Sequence, residues 1–221
     1  MIDTIELINF SGVSNCRFSA YSCTESFPPV DYTFEKGKTY CIISDFGCGS
    51  WGLSNCLGGD GSITCGEILV NGATSRLDDL IKYSCFVSSL RVYGMKIKPK
   101  KDSIRICIER ALKNNRLFCV NDIKRIFCLS DERFERPIAY TGGETWLASL
   151  AIGFSLQKDI FCFPWLSERN IEIFKMTKRM GIIDCLKNNN KIVIIPSSQK
   201  DTLINCCDAS IVISNRRVSF E

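Results

Sequence analysis

Three short runs of this chain offer almost nothing to water: Thr39-Tyr40-Cys41-Ile42-Ile43-Ser44, Ile160-Phe161-Cys162-Phe163 and Ile192-Val193-Ile194-Ile195. A strand with one wet face alternates apolar and polar residues. A run that is apolar throughout needs cover on both faces, as the inner strands of a parallel sheet have. Helix patterns separate the runs. Ile104, Cys107, Ile108, Ala111 and Leu112 recur at helical spacing within 102–117, with Asp102 or Ser103 as cap. Asp122 can start a second helix with the face Ile123, Ile126 and Phe127. Thr141-Gly142-Gly143-Glu144 opens a third that buries Leu147, Leu150, Ala151 and Phe154, and a fourth runs through 168–180. Pro164 stops one apolar run and Pro196 another. A last pair, 210–213 and 217–220, reads as a hairpin across Asn215-Arg216. Residues 1–36 read as short strands joined by turns, among them 5–8 and 30–34, and 66–72 as a strand ending in an Asn71-Gly72 turn. Strands alternating with helices predict an α/β fold with a mainly parallel sheet, and 89–140 reads as a helical insertion.

Composition removes several function classes. Histidine is absent, which excludes a Ser-His-Asp or Cys-His triad, imidazole bases and His-ligated metal sites. The net charge of +4 is too mild to argue for nucleic acid. The 14 cysteines include no Cys-x-x-Cys pair, so their spacing predicts no metal site. No basic-then-apolar leader opens the chain and no stretch approaches about 18 apolar residues. The expectation is a cytoplasmic chain whose thiols are reduced and mostly buried.

Two segments carry chemistry. Ser44-Asp45-Phe46-Gly47-Cys48-Gly49-Ser50-Trp51-Gly52 sits between a strand and a helix of about 51–57, the context of a phosphate-binding P-loop. A working loop of this kind is G-x-x-x-x-G-K-[ST], with Lys on the terminal phosphates and the hydroxyl on Mg²⁺. Gly49 keeps the second glycine, whereas Ser50 replaces Lys, Trp51 replaces Ser/Thr, and Ser44 replaces the first glycine. By itself the segment reads as a tight strand-to-helix turn rather than a phosphate site. In Tyr140-Thr141-Gly142-Gly143-Glu144, Thr141 and Glu144 fit a capping box, and two glycines leave N–H groups open to an anion at a helix start. An ordinary capped helix fits that segment too.

The order of these elements resembles an ATP-binding cassette (ABC) transporter ATPase subunit along nearly the whole length. The residues 34–43 look like the entry into the P-loop strand. Leu57-Gly58 and Gly66-Glu67-Ile68-Leu69-Val70-Asn71-Gly72 look like the elements that follow it, Tyr140-Thr141-Gly142-Gly143-Glu144 like the signature L-S-G-G-Q, and Cys207-Asp208-Ala209-Ser210-Ile211-Val212-Ile213 like a late "A-D-x-I-x-V-L" strand. The resemblance implies a P-loop NTPase-like (RecA-like) core with a mainly parallel sheet and an N-terminal antiparallel β region, formed by 1–88 and 141–221, with 89–140 as a helical subdomain.

Departures from the family pattern fall on its chemistry. Pro164-Trp165 stands where Walker B ends in Asp-Glu, Ser88-Ser89 at the glutamine loop, and Ser197 or Ser198 at the switch histidine. No Asp marks the D-loop after Trp165, and only Phe10 and Tyr21 are available to stack on adenine. The resemblance therefore implies a degenerate pseudo-ATPase that is catalytically inactive alone. It would have a degenerate P-loop at Gly47, Gly49, Ser50 and Trp51, a degenerate Walker B at Pro164 and Trp165, a degenerate switch at Ser198, and neither nucleotide nor metal bound by this chain by itself. In the family two subunits join head to tail, so Thr141, Gly142, Gly143 and Glu144 would serve in trans, completing a composite site for ATP and Mg²⁺ with a catalytic partner. Transmembrane permease subunits would hold the heterodimer at the inner face of the cell membrane. The alternatives are a cassette-fold scaffold or regulator without a transport role, and a nucleotide-binding enzyme that uses the backbone of 45–50 alone.

Overall fold

A computed structural model describes residues 1–18, 21–87, 95–114, 117–176, 180–198, 206–214 and 217–220. The chain begins with a long hairpin, β1 (Thr4–Phe18) and β2 (Tyr21–Glu35), 15 residues each, where the sequence suggests only short strands. Register shifts at Leu7/Phe10 and Phe10/Gly12 explain the difference, because they break the alternation that marks a continuous strand. Next come β3 (Thr39–Ile43) and α1 (Ser50–Leu57). β4 (Ser62–Val70) and β5 (Ala73–Ser75) complete a four-stranded antiparallel sheet in the order β2-β1-β4-β5. Gly66 permits that pairing. Its φ is +77°, and a Cβ there would lie 2.2 Å from the Asn9 carbonyl oxygen.

Beyond α2 (Leu77–Leu80) and β6 (Ser84–Phe86) lie three helices, α3 (Ile104–Ala111), α4 (Val120–Ile126) and α5 (Asp131–Phe134). Ser103 caps α3 by accepting from Ile106 N at 3.3 Å. Asp122 sits inside the first turn of α4, not ahead of it, and its carboxylate accepts from Cys119 N at 3.0 Å. The remaining elements are α6 (Thr145–Ser155), β7 (Ile160–Cys162), α7 (Glu168–Met176), α8 (Met180–Asn188), β8 (Ile192–Ser197), β9 (Ala209–Ser214) and β10 (Arg217–Phe220). The Asn215-Arg216 turn and Ser88-Ser89, with the 88/89 boundary, lie outside the described residues, as does the Tyr21 side chain.

The second sheet runs β10-β9-β3-β8-β7-β6; all neighbours are parallel except the β10 edge. Successive residues of its apolar strands serve opposite cores. Ile42, Ile160, Ile194 and Ile211 pack with the antiparallel sheet and α1, while Ile43, Phe161, Val193 and Ile195 pack with helices. Ile104 and Ile108 of α3 and Phe127 after α4 join that second cluster, with Leu147 and Phe154 of α6.

Pro196 does not stop β8; it pairs within it, opposite Ile42. Its side of the strand faces β7, where Phe163 N donates to Ile194 O at 2.9 Å. Beyond that point β7 has ended, and the Phe163 carbonyl takes the Ser54 hydroxyl instead, at 2.8 Å. The missing N–H of Pro196 therefore breaks no ladder bond. A second difference concerns the cysteines. Cys41 and Cys207 form a disulfide, with Cα atoms 6.0 Å apart, against the expectation of reduced thiols throughout. Of the free cysteines, Cys48, Cys65, Cys119 and Cys128 are exposed.

Candidate functional site

The carboxyl ends of β3, β7 and β8 meet at one edge of the parallel sheet, where open α/β sheets place their ligands. This gathers three sequence-predicted segments: the 44–52 loop, Pro164-Trp165 and Ser197-Ser198. Backbone bonds lock them together. Ser44 N donates to Ser197 O (3.0 Å), and Leu166 N to Pro196 O (2.8 Å). The Ser197 hydroxyl is buried and donates to Leu166 O at 2.8 Å.

Aromatic rings fill the space above. Trp51 is 1% exposed, and its indole N–H has no hydrogen-bond partner. Trp165 donates its indole N–H to Ser44 O at 3.2 Å. Phe46 bridges the two indoles, with ring centroids 6.0 Å from Trp51 and 5.3 Å from Trp165. Ser50 accepts a hydrogen bond from the Ser44 hydroxyl at 2.7 Å.

The anion of this loop comes from a residue that sequence reading passes over. Glu25 on β2 is 1% exposed. Its carboxylate accepts from Gly47 N (2.8 Å), Gly49 N (3.1 Å) and Gly52 N (2.8 Å). Bonds to a charged acceptor are each worth roughly 1.5–3 kcal/mol, which offsets the burial of the charge. Gly49 has φ +109°, and a Cβ there would meet Phe27 Cβ at 2.8 Å, so β2 lies directly against the loop. The one available signal is the period of two that puts Glu25 on the inward face with Phe27, and Pro28-Pro29 obscures it.

All eight residues of α1 are buried, polar ones included. Ser54 binds Phe163 O as above, and Asn55 Nδ2 donates to Ser14 Oγ at 2.6 Å. The loop is thus seated on a helix wedged between two sheets.

The Thr141–Glu144 segment is built differently from the capping box its sequence suggests. Gly142–Glu144 forms a single 3-10 turn before α6. The Thr141 hydroxyl is buried and donates to Ile138 O at 2.8 Å. The Glu144 carboxylate reaches sideways, accepting from the Ser130 hydroxyl at 3.1 Å. Arg133 Nη1 donates to Thr141 O at 3.2 Å, tying the turn to α5. What the turn presents outward is Gly142, at φ +54° with open space around it, flanked by Tyr140 at 63% exposure. Phe10 is fully buried against Phe27, ring centroids 5.6 Å apart, so it offers no face to a base.

A cavity of about 230 Å³ opens at the opposite sheet edge, lined by Phe118, Phe154, Asp159, Asn189 and Lys191 among others, away from all of these segments. Among the described residues no group of three His, Cys, Asp or Glu side chains is placed to hold a metal ion. No helix among them is long and apolar enough to cross a membrane.

No protein-family model matches the chain, and no curated protein matches it. Solved structures do. The ATP-binding subunit of an ABC transporter shares 15% identity over 100% of this chain and 90% of that chain, with a TM-score of 0.67. A protein described as a metal-chelate type ABC transporter, in an inward-facing conformation, shares 14% over 99% and 83%, TM-score 0.63. One described as an ABC transporter ATP-binding protein from Pyrococcus furiosus shares 18% over 95% and 97%, TM-score 0.65.

The chain has the ATP-binding cassette fold. Its residues do not fit the nucleotide and Mg²⁺ that the fold implies. The loop N–H groups hold a carboxylate, Trp51 has no oxygen for a metal, and neither Pro164 nor Trp165 can ligate one or accept a proton.

Proposed function

We propose that this chain is a non-hydrolysing nucleotide-binding-domain subunit of a heterodimeric ABC transporter. It pairs with a catalytic cassette subunit and presents its 141–144 turn to the nucleotide that the partner holds, while permease subunits anchor the pair to the membrane. The observation that carries this reading is a contrast between two sites. Phe46, Trp51 and Trp165 pack over the chain's own loop, whereas the turn at Gly142 stays at the surface and free of steric cover. An emptied enzyme kept only as a scaffold has no need of that second feature. With the Thr141 hydroxyl turned inward, the backbone N–H groups at Gly142 and Gly143 become the donors offered to phosphate, and Thr141 shapes the turn from within.

The test uses the assembled complex. Gly143→Asp places a negative charge where the partner's phosphate would approach. It should lower ATPase activity about 10²–10³-fold with assembly intact, the usual loss when oriented donors to developing charge are removed. Ser50→Ala should leave turnover nearly unchanged. An assembled complex indifferent to Gly143→Asp would make this chain a scaffold. Equal sensitivity to Ser50→Ala would mean that its own loop works.

A further inference from the structure

Three N–H groups of the 44–52 loop converge on two oxygens, and those oxygens belong to the protein. Gly47 N and Gly52 N lie 2.8 Å, and Gly49 N 3.1 Å, from the Glu25 carboxylate. Gly52 is the third residue of α1, so its N–H is one of the helix's unspent donors at the positive end of the dipole. Among the described residues no lysine or arginine forms an ion pair with Glu25; the Cys23 thiol, 3.7 Å from Oε1, is the further donor. This is the environment a loop of this type provides for a phosphate oxygen: converging amides, a helix start and burial.

We propose that Glu25 is the resident anion of this loop, an internal carboxylate that sets the loop's shape and keeps phosphate-bearing ligands off its N–H groups. An incoming phosphate would have to displace a buried carboxylate. β2 leaves the loop no slack there, since Phe27 Cβ and Ser26 O lie 2.8–2.9 Å from an ideal Cβ on Gly49. Asp45, exposed on the same loop, adds a second negative charge against any newcomer. The contact differs from the loss of Lys and Ser/Thr at Ser50 and Trp51. Those changes remove attraction, whereas Glu25 occupies the place. It rests on the loop alone and is independent of any role in trans.

Hydrogen exchange read by mass spectrometry on the 45–53 segment tests this. In the wild-type chain the segment should exchange as slowly as the core strands, and millimolar pyrophosphate should not change it. Glu25→Gln and Glu25→Ala should speed exchange there at least tenfold, with the core strands unaffected. In Glu25→Ala, pyrophosphate should restore part of the lost protection. Three results would overturn the proposal: a wild-type loop that exchanges freely or takes up pyrophosphate, folded variants with unchanged loop exchange, or a loosened Glu25→Ala loop that ignores pyrophosphate. Should the variants unfold globally, the two wild-type measurements decide alone. None of these readouts involves a partner, so failure here leaves the trans reading standing, and the reverse.

Discussion

Trp51 is the reason to expect that single substitutions at the loop will not create a nucleotide site. It stands where the P-loop resemblance puts a Mg²⁺-binding hydroxyl, is buried, and leaves its own N–H unpartnered. Ser50→Lys alone puts an ammonium beside that indole and next to N–H groups already held by Glu25. Trp51→Ser alone opens a void of the kind that costs about 3–5 kcal/mol when a large aromatic is truncated. Calorimetric titration of either single variant with Mg-ATP should show no micromolar binding; such binding to either one would overturn this account of the loop. The cysteines give a second residue-scale prediction. Burial pushes the thiols of Cys85 and Cys107 up to about 11 and Cys56 up to about 12, so they are neither accessible nor ionised near neutral pH. Native labelling should mark Cys48, Cys65, Cys119 and Cys128 first. Denatured chain should titrate 12 thiols without reductant, the count left free by one disulfide. Fourteen would remove the Cys41–Cys207 bond. Residue identity marked Ser50, Trp51 and Trp165 as departures from the P-loop and Walker B patterns, and the fold brings all three to one sheet edge. It could not show Glu25, because a glutamate in a strand reads as solvated until the fold brings 25 against 47–52. Nor could it show that the Thr141 hydroxyl points inward.

Elements were legible where one physical pattern ruled. The inner strands were readable as unbroken apolar runs, and α3 from its spacing and its Ser103 cap. The long hairpin and β8 through Pro196 were not, because bulges hide the alternation and because a proline at the end of a ladder costs nothing locally visible. Gly66→Ala probes the first case. With φ at +77° and the Asn9 oxygen 2.2 Å from the added carbon, β1 and β4 must separate there. Stability should fall by at least about 2 kcal/mol in a denaturant titration. Asp102 governs the approach to α3. It takes a bidentate bond from Arg110, at 2.7 and 3.0 Å, and one from Lys98 N at 2.8 Å. The Arg110 guanidinium, then the Lys98 amide, hold its carboxyl below the usual carboxylate range. A depressed folded-state value means the stabilisation is complete above the unfolded value near pH 4 and is lost as pH falls through the lower, native one. Asp102→Asn should therefore cost about 1–3 kcal/mol at pH 7, with wild type and variant converging in acid. An equal gap at both pH values would refute the pairing.

At the scale of the molecule, two sheets share one buried helix yet differ in where their partners come from. β1, β2, β4 and β5 all lie within the first 75 residues and pair only with one another. β3 lies among them in sequence, but its neighbours are β8 and β9, which begin at Ile192 and Ala209. On a ribosome the antiparallel sheet has all its strands early, while β3 must wait for almost the entire chain to be made. Until then a strand with every residue destined for burial is exposed with both edges open, the condition under which nascent chains associate wrongly. The order of synthesis thus gives β3 the longest wait of any strand in this sheet between its own synthesis and its pairing. A chain broken off before residue 192 would retain an intact first sheet beside an unpaired β3, a fragment that chaperones would be expected to hold.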